Sequence, residues 1–287
     1  MKKVGLIDHY LDNWHANHLP EWLEEETHGE YVICYAWGSH DPAVAGRAVE
    51  GREAHRTSAE WCEAYGVELC ANAAEVVEKS DVLMVLAPNN PEMHEILCKE
   101  ALASGKRTYV DKTFAPDVAT AKRIFAMAEA GNTPMFSSSA LRFSRELPDV
   151  KREGIRTIQS RGGGLYKIYS IHQIEMLVVL MGANAKRVMA LGTEEAPQLV
   201  IEFEGGRYAT WGHFNCGFGM DIRYDGGDAL NIPTCSDFFP LFIHELIDFF
   251  ENGNIKAPSA ETLAVIGIRE AGFEALTKPG CWVDVPV

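Results

Sequence analysis

The chain has few of the features that mark membrane, secreted or nucleic-acid-binding proteins. It contains no run of about 18 apolar residues, so we expect no membrane span. Lys and Arg number 26 against 41 Asp and Glu, and the net charge of −15 argues against nucleic acid or anionic lipid as a partner. The first residues read as a strand that Asp8 and His9 interrupt, so we expect no signal peptide.

Paired cysteines and metal-ligand spacings are also missing. The 7 cysteines are scattered and none forms a C-x-x-C pair, which is typical of reduced thiols in a cytosolic protein. We therefore expect a cytoplasmic location. His9, His15 and His18 have a spacing that matches no common ligand set, so we expect no metal site.

The residues that are present predict a parallel sheet in the first half of the chain. Apolar runs alternate with helical patterns, and Gly or Pro turns separate them, which is typical of βαβ units. The predicted elements are strand 82–87, the turn 88–91, helix 92–104, strand 107–110, helix 117–130 and strand 134–138. We predict a Rossmann-like, doubly wound domain over residues 1–140.

Residues 141–287 have a different pattern and predict an α+β domain with an open, mostly antiparallel sheet. A helix is expected from about Tyr169 to Gly182, and a hairpin turn at Gly205-Gly206. The other predicted elements are strands 155–159, 187–191, 198–204, 208–214 and 220–224, helix 237–253, a last helix from 259 to about 276, and an edge strand 281–287.

Three short segments resemble the Gfo/Idh/MocA family of NAD(P)-dependent sugar and polyol dehydrogenases. Pro88-Asn89 and His94 match its P-N-x-x-H-type turn, and Asp111-Lys112-Thr113 matches its Glu-Lys-Pro. Its D-x-G-x-H-x-x-D pattern is matched by His172 and Glu175, although the first Asp falls on Ile168. The resemblance covers nearly the whole chain. It implies a small-molecule substrate and a homodimer or homotetramer formed through the C-terminal sheet.

The turn after the first strand departs from the family. The strand should run into G-x-G-x-x-G, because glycine lets the backbone approach a pyrophosphate, yet residues 8–13 contain no glycine. Asp8, Tyr10 and Asn13 remain candidate cofactor contacts. Pro20 and a cap at Asn17 predict a late start of the following helix. Two interpretations stay open: the dinucleotide is held by different amides, or cofactor binding is lost.

The second strand, 31–37, does not decide between NAD and NADP. Family members that use NAD place an acidic residue near its end, and none stands here before Asp41. Trp37 is a candidate for stacking on adenine and Ser39 for contacting a 2′-phosphate. A helix is expected over residues 41–65. Pro88, Asn89, Asp111 and Lys112 complete the predicted cofactor contacts.

The resemblance suggests hydride transfer, which needs a proton acceptor and a group that polarises the substrate oxygen. We assign His172 as acid/base and Lys112 as the polarising group, although the reverse assignment is open. Tyr166, Tyr169 and Glu175 are candidate substrate contacts. The alternatives are a catalytically impaired relative that binds or senses a sugar or nucleotide, and a lyase or glycosidase that uses the cofactor transiently.

Overall fold

The computed structural model describes residues 1–40, 56–193 and 195–286, which form two compact units. The first unit comprises Met1–Ala115, Lys122–Ser137 and Ile243–Lys256. The second comprises Pro116–Ala121, Ser138–Phe242 and Ala257–Val287. The change of unit at Ser137 lies close to the boundary predicted after residue 140. Residues 243–256, which the prediction assigned to the second domain, group with the first unit.

The first unit contains a sheet of six parallel strands in the order β3-β2-β1-β4-β5-β6. Its strands are β1 (Lys2–Asp8), β2 (Tyr31–Gly38), β3 (Glu68–Leu69), β4 (Val82–Val85), β5 (Thr108–Val110) and β6 (Met135–Phe136). The order reverses between β1 and β4, which creates a crevice at the carboxyl ends of these strands. This confirms the predicted doubly wound sheet, with strands somewhat shorter than the apolar runs.

The helices around this sheet are α1 (Trp14–Thr27), α2 (Ser58–Tyr65), α3 (Ala73–Lys79), α4 (His94–Leu102) and α5 (Val118–Ala130). Thr57 and Glu60 form a capping box at the start of α2, and the Asn72 side chain accepts from the Glu75 amide at the start of α3. Of the helix predicted over residues 41–65, residues 41–55 lie outside the described residues. The helix predicted from Glu92 begins as a 3₁₀ turn, Pro91–Met93.

The predicted late start of the first helix is wrong. Helix α1 begins at Trp14, because the Asn13 side chain accepts a hydrogen bond from the Ala16 amide at 3.1 Å. Pro20 therefore lies inside the helix, where it has no N–H to donate to the Ala16 carbonyl. The loop between β1 and α1 is consequently short, and Asp8 to Asn13 make a compact turn.

Close packing explains one glycine of the first sheet. A Cβ atom on Gly5 in β1 would lie 2.2 Å from the Ser80 hydroxyl oxygen, so the approach of the residues around α3 requires glycine there. On either side of it, Val4, Leu6 and Ile7 are fully buried. Burial on both faces explains why β1 reads as an apolar run rather than as an alternating pattern.

The second unit contains a seven-stranded sheet in the order β12-β11-β7-β10-β9-β8-β13. Its strands are β7 (Ile155–Gly162), β8 (Ala185–Gly192), β9 (Pro197–Phe203), β10 (Arg207–His213), β11 (Gly219–Tyr224), β12 (Ala229–Ile232) and β13 (Trp282–Asp284). Only the β7–β10 pair is parallel among these. The mostly antiparallel sheet is confirmed, as are the Gly205-Gly206 turn and the edge position of β13. Strand β12 was not predicted.

Helices α6 (Tyr166–Met181) and α8 (Ser259–Leu276) pack on the sheet of the second unit, and α7 (Phe238–Asn252) precedes α8. The Tyr166 ring lies edge-on to Trp211 of β10, with 5.0 Å between ring centroids. The predicted start of α6 at Tyr169 was three residues too late. Among the described residues, no helix combines the length and apolar composition that crossing a bilayer requires.

Candidate functional site

The end of β4 carries a strained backbone that leads into the first predicted site residues. Ala87 is fully buried and has a φ of 114°, a backbone conformation that residues other than glycine rarely adopt. Pro88 and Asn89 follow, at the carboxyl edge of the sheet where ligands of this fold class bind. Backbone strain of this kind persists only where the surrounding structure enforces it, and it is frequent at ligand-binding sites.

Lys112, which follows β5, lies beside this turn. Its side chain is 6% exposed, and its Nζ donates a hydrogen bond to the Pro88 carbonyl oxygen at 3.2 Å. The structure thus brings the Pro88 carbonyl and the Lys112 ammonium together at the ends of β4 and β5. The peptide bond between Lys112 and Thr113 is cis. A buried ammonium at this edge offers a positive charge to a ligand oxygen.

Asp111 precedes Lys112 and is held by three groups. Its Oδ1 accepts from the Lys112 amide at 2.8 Å and from the Tyr109 hydroxyl at 3.2 Å. Its Oδ2 lies 2.7 Å from Nδ1 of His15, in the first turn of α1. Burial alone would raise the pKa of Asp111, but His15 and Lys112 bring it below its ordinary value. The contact of Asp111 with His15 was not predicted.

His94, the last residue of the family-like turn, is fully buried at the start of α4. Its Nδ1 lies 3.0 Å from the Phe114 carbonyl oxygen. Burial lowers the pKa of His94, so the ring is neutral. Its position fits a structural role between α4 and the segment after β5.

The turn between β1 and α1 is closed around the Asp8 carboxyl group. Oδ1 of Asp8 accepts from the amides of His9 at 2.6 Å and Tyr10 at 3.2 Å. Oδ2 accepts from Nδ2 of Asn13 at 2.7 Å. Burial raises the pKa of Asp8 well above its ordinary value, and the nearby charge of Asp111 adds to this. The predicted contacts Asp8, Tyr10 and Asn13 therefore lie together, bonded to one another.

Polar and aromatic groups collect where β2 ends. The Ser39 hydroxyl oxygen lies 2.8 Å from Nδ1 of His9, and the rings of His9 and His40 are stacked with 5.5 Å between centroids. Burial and the neighbouring His40 lower the pKa of His9. Trp37 is half-buried within β2. Ser39 and Trp37 stay predictions as cofactor contacts, and neither His9 nor His40 was predicted as one.

In the second unit, His172 lies in the second turn of α6. Its Nδ1 is 2.7 Å from the hydroxyl oxygen of Ser139. The rings of Tyr169 and Phe218 flank it, each with 5.6 Å between centroids. Tyr169 is 42% exposed, so of the three predicted substrate contacts it is the one beside His172 with surface to offer.

Glu175 is committed to an ion-pair network. It lies 3% exposed with Oε1 2.6 Å from Nε of Arg142, whose Nη2 lies 2.6 Å from Oε2 of Glu261. Burial opposes the charge of Arg142, but the two carboxylates hold the pKa of Arg142 above its ordinary value. Arg142, which was not predicted as a site residue, thus lies between the buried Glu175 and the partly exposed Glu261.

Tyr166, which was predicted as a substrate contact, is a buried core residue in the structure. It is buried, its hydroxyl donates to the Arg269 carbonyl oxygen at 3.1 Å, and Trp211 and Phe273 pack against its ring. These contacts place Tyr166 in the core between α6, α8 and the sheet. Among residues 1–40, 56–193 and 195–286, no three His, Cys, Asp or Glu side chains are placed to hold a metal ion.

Residues 27–137 match the family model described as the oxidoreductase family, NAD-binding Rossmann fold, of Gfo/Idh/MocA. A comparison with curated protein sequences finds no match. Solved structures are similar over nearly their full length. Scyllo-inositol dehydrogenase from Lactobacillus casei has a TM-score of 0.73 at 15% identity, covering 99% of this chain and 98% of the other.

Two further structures were determined with dinucleotides. An oxidoreductase from Agrobacterium radiobacter in complex with NAD⁺, L-tartaric acid and magnesium has a TM-score of 0.73 at 14% identity, covering 99% and 98% of the chains. Biliverdin reductase from Synechocystis, in complex with biliverdin and NADP⁺, has a TM-score of 0.68 at 12% identity, covering 96% of this chain and 99% of the other. At such identities the likeness shows the fold alone. The family match and the structural likeness agree that residues 27–137 have a Rossmann fold similar to the NAD-binding domain of the Gfo/Idh/MocA oxidoreductases.

Proposed function

We propose that the protein is an NAD(P)-dependent oxidoreductase that transfers a hydride to or from a sugar, polyol or related hydroxy compound. The observation that carries this proposal is Lys112, a buried cation at the strand-end crevice of a Rossmann sheet, with its Nζ hydrogen-bonded to the Pro88 carbonyl. An ordinary surface lysine would be solvated, whereas this one is held where a ligand of this fold class binds.

The residues of the first unit fit a dinucleotide provided that the carboxyl group of Asp8 is neutral. When bound, the nicotinamide ring accepts or gives the hydride. Pro88, Asn89, Asp111 and Lys112 stand at the ends of β4 and β5, and Ser39 and Trp37 at the end of β2. An ionised Asp8 would repel a pyrophosphate at the turn after β1, but burial raises the pKa of Asp8 and favours its neutral form. The neutral acid is compatible with a neighbouring phosphate.

The two catalytic roles follow from side-chain chemistry. The imidazole of His172 can take the hydroxyl proton of the substrate during oxidation and return it during reduction. The ammonium of Lys112 is suited to polarise the substrate oxygen, where negative charge develops as the proton leaves. Asp111, beside it, has its pKa lowered by His15 and Lys112 despite its burial, so a negative charge lies next to this ammonium.

The substrate class rests on the relatives. One solved neighbour is named a scyllo-inositol dehydrogenase and another was determined with L-tartaric acid, and both names refer to compounds with more than one hydroxyl group. Tyr169, exposed beside His172, adds an aromatic surface against which the C–H face of a sugar or polyol can pack.

We also propose that the outward face of the second sheet forms a homodimer or homotetramer. Met189, Val200 and Thr210 are register neighbours on β8, β9 and β10, and Tyr208 is 36% exposed nearby. Met189 and Val200 are half-exposed apolar side chains beside the half-exposed Thr210, and adjacent apolar surface of this kind is typical of a covered face. Val200→Glu is expected to lower the mass measured by light scattering, whereas Glu78→Gln, an exposed change on α3, should leave it unchanged. A wild-type monomer would reject this proposal.

The central test is calorimetric titration of cofactor-stripped protein with NAD(H) and NADP(H). Micromolar binding, roughly −8 kcal/mol, is expected for at least one of them. Sugars and polyols are then screened by nicotinamide absorbance. Lys112→Met should abolish turnover while leaving the unfolding midpoint near that of the wild type, and Lys99→Met, an exposed change on α4, should alter neither.

A second candidate function is favoured by one observation. The Asp8 carboxyl group already takes up the amides of His9 and Tyr10, which is unlike a turn open to phosphate. Were no dinucleotide to bind at any pH, the protein would be a sugar- or nucleotide-binding relative without redox activity. Titration with unphosphorylated polyols would then show binding without turnover.

A further inference from the structure

Ser139 and His172 are joined by a short hydrogen bond in the second unit. Ser139 is fully buried and precedes a 3₁₀ turn, Ala140–Phe143. Its hydroxyl oxygen accepts from the Leu141 amide at 3.2 Å and lies 2.7 Å from Nδ1 of His172. The hydroxyl is therefore fixed by the backbone of the turn before it meets the imidazole.

The sequence pattern around His172 makes this contact significant. The segment that resembles the family's site motif has Ile168 where the motif has its first aspartate. The side chain of an isoleucine can neither accept nor donate a hydrogen bond. We propose that Ser139 is a positioning residue that holds Nδ1 of His172, so that Nε2 is the atom that exchanges the substrate proton. This inference rests on the proposed role of His172 as acid/base.

The backbone of Ser139 lies near a buried carboxyl group of α6. Burial raises the pKa of Glu175, which follows His172 by one helical turn, and the backbone of Ser139 acts in the opposite direction. Glu175 is in turn held by Arg142 at 2.6 Å. Ser139 and the ring of His172 therefore lie beside the same buried stretch of α6.

The direction of the hydrogen bond follows from the proposed role. In a neutral histidine one ring nitrogen carries the proton and the other accepts. A base that acts through Nε2 must carry its proton on Nδ1, and this N–H donates to the Ser139 oxygen. When Nε2 is protonated, Nδ1–H still donates to the same oxygen, now from a charged ring, so the geometry is kept throughout the proton transfer.

The test is the tautomer of His172, read from the ¹⁵N shifts of its ring in the apoprotein above its titration range. His172→Gln identifies the signals. The expected wild-type form is Nδ1–H, whereas free imidazole side chains favour Nε2–H. Ser139→Ala should return His172 to the Nε2–H form or to a mixture. An Nε2–H wild type, or an Nδ1–H form that persists in Ser139→Ala, would overturn the proposal, whether or not the protein is active.

Ser144→Ala is the matched control, because Ser144 is also fully buried and its hydroxyl bonds within the same turn, to the Leu141 carbonyl at 2.8 Å. It should leave the tautomer unchanged. In the active enzyme, Ser139→Ala should lower kcat by about 10- to 100-fold, part of the contribution of a positioned acid–base group, with KM changed less than about threefold. An altered tautomer without detectable dehydrogenase activity would reject the proposed function and leave the positioning role standing.

Discussion

Nδ1 of His15 lies 2.7 Å from Oδ2 of Asp111 and connects the first turn of α1 to the end of β5. Asp111 is 2% exposed, so a carboxylate there depends on its partners for stability. The pair also borders Lys112, whose amide donates to the other oxygen of Asp111. His15 thus stabilises the charge next to the proposed catalytic lysine.

Replacement of this histidine tests the dependence. His15→Leu should destabilise the protein by about 1–3 kcal/mol near neutral pH, because it leaves a buried carboxylate with fewer partners. The lowered pKa of Asp111 contributes stability above its unfolded-state value that is lost as the pH falls. The difference between variant and wild type should therefore shrink in acid. Urea unfolding measures it, with His244→Leu, at an exposed ion pair, as the control.

Asp8 makes the opposite contribution to stability. Its pKa is raised in the folded protein, so its stabilising effect is complete below the unfolded-state pKa and is lost as the pH rises through the folded value. Asp8→Asn should remove this loss. As the pH rises, the free energy of unfolding of the variant should increase relative to that of the wild type by at most about 1.4 kcal/mol per pH unit. Asp12→Asn is the contrast, because hydrogen bonds from Arg56 and Asn17 outweigh burial and lower the pKa of Asp12. It should lose stability at neutral pH.

The same carboxyl group governs the cofactor prediction. If phosphate lies near a neutral Asp8, the affinity of wild-type protein for NAD(P)H should fall with rising pH, by at most about tenfold per unit. Asp8→Asn should show a flatter dependence. Calorimetric titrations between about pH 5 and pH 8 measure both proteins. If the affinities of the two proteins changed with pH in parallel, the protonation of Asp8 would not be the cause of the pH dependence.

Ala87 provides a test of backbone strain. Its φ of 114° costs energy for any residue with a Cβ atom, typically about 1–3 kcal/mol. Glycine removes this cost but adds flexibility to the unfolded chain, so Ala87→Gly should stabilise by a net amount of about 1 kcal/mol. Ala87→Val should destabilise. Thermal unfolding of the wild type and the two variants gives the order of their stabilities. A glycine variant less stable than the wild type would contradict the proposal that Ala87 is strained.

The sequence predicted the layers of the fold better than its polar contacts. The alternation of apolar runs and turns around Pro88 and Gly105 was sufficient for the parallel sheet, because strand and helix periods differ strongly. The start of α1 was misplaced because Pro20 is typical of a first helical turn, and the cap at Asn13 prevailed. Strand β12 was missed because its residues are mostly exposed and too few to show an alternating pattern.

The site could be predicted only in part, for a physical reason. Lys112 and Pro88 follow adjacent strands, and strand order alone brings them to one edge. The contacts of His15 with Asp111 and of Ser139 with His172 join residues distant in sequence, and they depend on side-chain direction and reach. Neither has a local sequence pattern, so only the folded backbone reveals them.

Arg142 shows how strongly the His172 region depends on buried charge. Arg142→Met should destabilise by about 3–5 kcal/mol, because Glu175 would be left as a buried carboxylate without its guanidinium. The double variant Arg142→Met with Glu175→Gln should recover part of this loss, since it removes the uncompensated charge as well. Arg145→Met, which breaks an ion pair with Asp237 whose two side chains are exposed, should cost little.

Urea unfolding of the two single variants, the double variant and Arg145→Met measures these differences. Additive losses in the double variant would mean that Arg142 and Glu175 do not act as a pair. The ring ¹⁵N shifts of His172 in the double variant carry further information. Because Ser139 lies beside Glu175, loosening the Arg142–Glu175 pair should broaden the tautomer distribution of His172. An unchanged distribution would mean that Ser139 is held by its own turn alone.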